Sequence, residues 1–233
     1  MSCPHSLLDA SLDRWVESHW HIHQIEGNYH EPDALRYSLN SFIRSAKEIP
    51  QILQMELQNH PDYRSVIKPH IERLKLDPLF TLLSKTRDFI VHRGRLDILS
   101  QGVIGTTEGR GWKISLSFPV ASHESSDQAY HQFQQVCRAE PFVRSAWGPD
   151  CDSWPMLRRE WRIPEFPDND ILDIAVSAWR TSGQVLSDIV VHFGGESLDL
   201  ELACRHEPEK VRTRQYSRTG FETAVDGIVT SPD

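Results

Sequence analysis

Lys85-Thr-Arg-Asp-Phe-Ile-Val-His-Arg-Gly94 is the stretch that decides how the first half of the chain reads. Phe89, Ile90 and Val91 run between charged residues, which suits a half-buried helix, and Gly94 is suited to stop it. An arginine, an acid and a histidine on such a helix are costly to desolvate unless they pair or act on something. At about 100° per residue, Arg87 and His92 stand roughly 140° apart around the axis. Asp88 and His92, at i and i+4, share a face. The long Arg87 stem can still carry its guanidinium to the same pocket. The residues alone equally allow an Asp88–His92 pair near a helix end, with the arginines in solvent.

Upstream, the spacing predicts four helical segments. Over 6–27, Leu8, Leu12, Trp15, Val16, Trp20, Ile22 and Ile25 roughly follow a helical period, and Gly27 and Asn28 can end the segment. Pro32 and Asp33 open the next, whose inner face is Leu35, Leu39, Phe42, Ile43, Ala46 and Ile49. Pro50 is expected to kink it before Leu53 and Leu57. A third segment covers about 62–75. Asp77-Pro78 suits the N-cap and first position of a fourth, with Leu79, Leu82, Leu83, Thr86, Phe89 and Ile90 as its core stripe. Four such segments with short connections imply an antiparallel bundle.

Arg87, the polar Asp88 and His92 on the last long helix of that bundle resemble the HEPN superfamily. The resemblance covers roughly residues 10–96. It implies a helical bundle and, in many members, a metal-independent ribonuclease or toxin with the arginine and histidine as catalytic pair. Carried to this chain, Arg87, Asp88 and His92 are the catalytic residues. Lys85, Arg93 and Arg95 are the RNA-binding ones, and two motifs are expected across a homodimer. Gly94 stands where some toxin members carry a tyrosine, so that subtype is not expected. Glu26 and Asn40 fall on helices expected to face the motif and are candidate supporting residues.

Beyond Gly94 the texture changes. Residues 98–106 and 112–118 flank Thr107-Glu-Gly-Arg-Gly111, and Trp112, Ile114, Leu116 and Phe118 alternate with polar residues, predicting a β-hairpin. A short helix is expected near 125–139, then an irregular, tryptophan-containing stretch, then a helix over 169–192. Leu198, Leu200 and Leu202 alternate as a strand, and from about Glu207 the chain reads as a polar tail.

The whole chain carries a formal charge of −8, a poor background for generic nucleic-acid binding. From Arg64 to Arg95, eight basic residues against Glu72, Asp77 and Asp88 make a local +5, which suits either a phosphate cleft or a solvated helix face. Cys3, Cys137, Cys151 and Cys204 form no close pair, which argues against a disulfide scaffold or a cysteine zinc site and suits a reducing cytoplasm. No run approaches a membrane span, and no signal-peptide pattern opens the chain. His19-Trp-His-Ile-His23 places two histidines on one helical face, a metal-capable spacing. No acid at matched spacing completes a site, so no metal and no cofactor are expected. There is no dinucleotide fingerprint and no Gly-x-Ser-x-Gly.

The expectation is therefore a mainly α chain. Residues 1–96 form a HEPN-like helical bundle, 97–206 a small α+β region with a β-hairpin, and 207–233 a polar tail. The expected activity is RNA cleavage by attack of the 2′-hydroxyl, with His92 moving the proton and Arg87 stabilising phosphate charge. The alternative is a non-catalytic bundle that binds a partner protein, nucleotide or RNA.

Overall fold

Helix α1 (Asp9–Gly27) buries Trp15, His19, Ile22 and Ile25 together with Ser11 and Ser18. These positions recur three or four apart and define one stripe. Val16 and Trp20, expected inside, are 48% and 56% exposed. The helix is rotated so that small serines and His19 face inward instead. The computed structural model describes residues 4–93, 98–108, 111–143, 154–201, 204 and 206–226; of 87–93, 108 and 224–226 it describes the backbone alone.

Helix α2 (Pro32–Leu57) continues through Pro50 to Leu57, with Leu35, Leu39, Phe42, Ile43, Ala46, Ile49 and Leu53 buried. A single π-helical turn, Tyr63–Ile67, runs directly into α3 (Lys68–Leu76). Asp77 then caps α4 (Pro78–Arg93): its Oδ1 accepts from the backbone N–H of Leu79 at 2.8 Å. On α4, Phe80, Leu82, Leu83 and Thr86 are buried, so Phe80 rather than Leu79 opens the core stripe. Strands β1 (Leu99–Glu108) and β2 (Gly111–Pro119) form the expected hairpin, and α5 (Ser126–Ala139) follows behind a Ser125/Gln128 capping box. Then come β3 (Pro155–Ile163), β4 (Phe166–Asp170) and α6 (Ile171–His192), which Asp170 caps. Residues 208–226 hold α7 (Pro208–Arg212), β5 (Thr213–Gln215) and α8 (Arg218–Asp226).

The protein is mainly helical, with a small antiparallel sheet whose strands all follow the first four helices. Two compact units emerge: Met1–Asn28, Ala34–Asp97 and Glu165–His206 form one, and Tyr29–Asp33, Ile98–Pro164 and Glu207–Asp233 the other. In the first, α6 packs against α1, α3 and α4. Its apolar surface, with Ile171, Leu172, Ala175, Trp179, Leu186 and Ile189 buried, gives the other helices a common core. Residues 165–206, which a cut at 96 leaves outside the bundle, thus belong to the helical unit.

In the second unit β1 pairs antiparallel with both β2 and β3, and β5 pairs with β3. Ile104 stands opposite Leu116 on one side and Leu157 on the other. Gly105 allows the close approach of β2, since a Cβ there would lie 2.0 Å from the Ile114 carbonyl oxygen. The core of this unit joins Ile104, Val120, Tyr130, Phe133, Cys137, Leu157 and Phe221. Ile114 and Phe118 pack on it, while Trp112 and Leu116 are exposed.

Three expectations need correction. Leu198 and Leu200 lie in irregular chain, not a strand, and Leu202 is outside the described residues. Residues expected as a polar tail form α7, β5 and α8, with Phe221 and Arg212 buried. The stretch expected as irregular contains β3, whose buried face is Pro155, Leu157, Arg159, Trp161 and Ile163. Arg159 at its centre hides the apolar alternation. No helix among the described residues is long and apolar enough to cross a membrane.

Candidate metal centre

The stripe that α1 turns inward carries His19, and the adjoining one His23 and Glu26. The i, i+4, i+7 spacing stacks the three side chains along one side of the helix. Beyond α6 the chain is held back against that helix. The Leu198 N–H donates to Ser187 Oγ at 3.0 Å, and Arg180 reaches both carboxylate oxygens of Glu201 at 2.8 and 2.9 Å. This return brings Cys204 and His206 to the histidines of α1, about 180 residues away in sequence.

Glu26 organises the cluster. Its Oε2 accepts from His23 Nδ1 at 2.7 Å and its Oε1 from His206 Nδ1 at 2.8 Å. Nδ1 of each ring thus faces the carboxylate, which leaves Nε2 on the side away from it. His23 Nε2 lies 3.3 Å from Cys204 Sγ, within hydrogen-bond distance of the thiol. The His206 side chain is 3% exposed, and its Nε2 is buried with no hydrogen-bond partner among the described residues. The same holds for His19 Nε2. The His19 ring stacks on Trp179 at 4.6 Å and meets the His23 and His206 rings edge-on at 4.6 and 5.4 Å. One ligand atom each from His19, Cys204 and His206 fall within 4.8 Å of one another, as do those of His23, Glu26 and His206.

The electrostatics follow from this packing. Burial, aided by His23 and His206, pulls His19 from its ordinary value down to about 4, so it is neutral at physiological pH. Burial pushes the Glu26 carboxyl up, but the hydrogen bonds from His206 and His23 outweigh it and hold the group below its usual range. Burial and the nearby Glu26 and Glu201 raise the Cys204 thiol. The buried Nε2 atoms of His19 and His206 beside a thiol whose proton is held suit a cation site better than a pre-formed thiolate nucleophile.

Of the sequence-derived site residues, Glu26 belongs to this cluster. Arg87, Asp88, His92 and Arg93 lie in the last turns of α4, but their side chains, like all of Arg95, are outside the described residues. Lys85 is exposed on the same helix. Arg73 of the basic segment is paired with Asp188 at 3.0 Å, and Lys75 bonds Gln54 at 3.2 Å. Asn40 is half-buried on α2, its Oδ1 buried and without a hydrogen bond among the described residues. Glu26 does orient histidines, and those it holds are His23 and His206.

Residues 1–105 match the family model of bacteriophage lambda protein ea47. That span, to which the chain is similar, overlaps the whole region on which the HEPN resemblance rested, and it overturns that resemblance. An arginine and a histidine five positions apart make a short pattern that basic helix ends produce readily. No curated protein and no solved structure matches the chain. The matched span takes in His19, His23 and Glu26 and ends before Cys204 and His206. The signal that could have found the cluster is the pair His-x-x-x-His at 19–23 and Cys-x-His at 204–206, which no local reading joins.

Proposed function

We propose that the helical unit binds a divalent transition metal, with His19 Nε2, Cys204 Sγ and His206 Nε2 as ligands and Glu26 orienting the imidazoles. The observation that carries this reading is the pair of buried, unpartnered Nε2 atoms of His19 and His206, residues that with Cys204 each bring a ligand atom within 4.8 Å of the others. A buried polar nitrogen without a partner costs free energy that a metal bond recovers. Imidazole and thiolate donors together select Zn²⁺ among common ions, since Mg²⁺ and Ca²⁺ prefer oxygen. A carboxylate gripping the far nitrogen of a ligating histidine is the usual support of such a site, and Glu26 grips two. The metal makes the helical unit a metal-dependent module.

Metal analysis of protein purified without chelator tests the reading: about one zinc per chain is expected, lost in Cys204→Ser and His206→Ala. A metal-free chain that takes up no zinc on titration overturns it. The ribonuclease expectation now rests only on Arg87, Asp88 and His92 sharing α4. RNA cleavage that survives chelation and disappears in His92→Ala would favour it.

A further inference from the structure

We infer that His23 supplies the fourth ligand through Nε2, and that the resulting closed Cys-His₃ centre fastens the chain beyond α6 to α1. This deepens the metal reading above and rests on it. The first support is geometric. Around a tetrahedral Zn²⁺ with bonds of about 2.3 Å to sulfur and about 2.0–2.1 Å to nitrogen, neighbouring sulfur and nitrogen atoms stand roughly 3.6 Å apart. His23 Nε2 and Cys204 Sγ are already 3.3 Å apart, so one edge of the tetrahedron is in place. His23 lies one turn from His19, and its ring lies 5.3 Å from that of His206 at an angle of 25°.

The second support is the tautomer. Glu26 holds Nδ1–H of His23 and of His206 in the same way, one carboxylate oxygen to each. Whatever presents His206 Nε2 to the ion therefore presents His23 Nε2 as well. Binding replaces the S–H···N bond: the ion takes the sulfur and nitrogen lone pairs, and the thiol proton leaves to solvent with no change of oxidation state.

The third support is charge. A dipositive ion, one thiolate and three neutral imidazoles leave +1, and the Glu26 carboxylate brings the cluster to zero. A half-buried centre of zero net charge avoids the desolvation cost that an uncompensated ion would carry.

Closure has a structural consequence. Cys204 and His206 are joined to His23 and Glu26 across 181 and 180 residues. A metal clip across so long a loop removes more freedom from the unfolded chain than any local contact can.

The test uses the full chain, stripped by chelator and titrated with Co²⁺ as a spectroscopic stand-in for Zn²⁺. Wild type is expected to show a sulfur-to-cobalt charge-transfer band with the intense visible bands of tetrahedral cobalt. It should also show no inner-sphere water by proton relaxation. His23→Ala is expected to keep the charge-transfer band, gain an exchangeable water, weaken the visible bands and lose at least about a hundredfold in affinity, above the effect of removing an orienting residue. His21→Ala, two positions from either proposed ligand on α1, should change nothing. If wild type binds Co²⁺ but holds an exchangeable water, or if His23→Ala matches wild type in spectrum and affinity, the fourth-ligand inference fails while the metal reading stands. If wild type shows no cobalt band, the metal reading itself fails. The wild-type relaxation measurement decides the question even if the variant does not fold.

Discussion

Trp15 and Trp179 exchange hydrogen bonds. The indole N–H of Trp15 donates to the Trp179 carbonyl at 3.1 Å, and that of Trp179 donates to the Trp15 carbonyl at 3.2 Å. The rings lie parallel, 4.9 Å apart and within 4°. Both residues are buried, and each carbonyl also accepts from a serine hydroxyl, Ser18 for Trp15 and Ser182 for Trp179, so the contact locks α1 against α6 in one register. His19 stacks on the same Trp179 ring, which places the histidine–cysteine cluster at the end of this lock.

Trp179→Ala removes a buried aromatic ring, leaves the Trp15 ring without its stacking partner and takes away the cover of His19. The expected loss is about 3–5 kcal/mol, read from the midpoint of urea unfolding. An unchanged midpoint would show that α1 and α6 are held by other contacts.

Gly183→Ala should destabilise the protein although it replaces a helix-interior glycine. In an open helix the change gains about 1 kcal/mol. Here the new Cβ would lie 2.7 Å from Trp15 Cζ2 and 2.9 Å from Leu200 Cδ2. Overpacking of this kind costs about 1–3 kcal/mol. A raised melting temperature in the variant would contradict the close α1–α6 approach.

Arg159 is fully buried on the inner face of β3 and bonds Ser100 Oγ at 2.9 Å and the carbonyls of Glu124 at 2.6 Å and Ala121 at 3.3 Å. Its guanidinium also lies 3.7 Å over the Trp161 ring. Arg159→Ala strands these neutral acceptors, with an expected loss of about 1–3 kcal/mol for each one left unsatisfied. Arg159→Lys should rescue little, because an ammonium cannot serve three directions from one plane or stack on the indole. Full stability of the lysine variant in denaturant would rule out the fork as the reason.

His30 gives an acid limit. Its Nδ1 is 2.8 Å from Ser126 Oγ, and burial together with the Arg214 guanidinium pulls it down to about 4. A histidine whose folded value lies below its unfolded value of about 6.5 binds fewer protons when folded. Its contribution is complete above pH 6.5 and is lost as pH falls towards 4. The urea midpoint should therefore drop across that window. His30→Asn should flatten the drop in part, since His19 titrates in the same direction. An identical pH profile in the variant would show that His30 is protonated at no cost.

Cobalt bound at His19 should quench the emission of Trp179, 4.6 Å from its ring. In Trp179→Phe the cobalt-dependent part of the fluorescence should shrink to what Trp15, 4.9 Å from that ring, contributes, while the charge-transfer band persists. Quenching of equal size in that variant would place the ion elsewhere.

Much of this architecture is written locally. The Asp77-Pro78 start of α4, the Ser125 and Asp170 caps, the stripe of α2 and the β1–β2 hairpin all depend on residues within a few positions of one another, so periodicity and capping chemistry reveal them. Where a charged residue replaces an apolar one in the pattern, the reading breaks. Arg159 concealed β3 because its burial depends on carbonyls from another loop, and His19 concealed the true face of α1 because its ring partners lie on α6 and beyond. The sequence by itself determined the helical first half, the hairpin and the i, i+4 spacing of His19 and His23. Only the tertiary structure decided that α6 completes the helical unit and that Cys204 and His206 meet those histidines. A ligand set split across some 180 residues leaves no periodic trace, since chain packing, not local propensity, sets the distance between its halves.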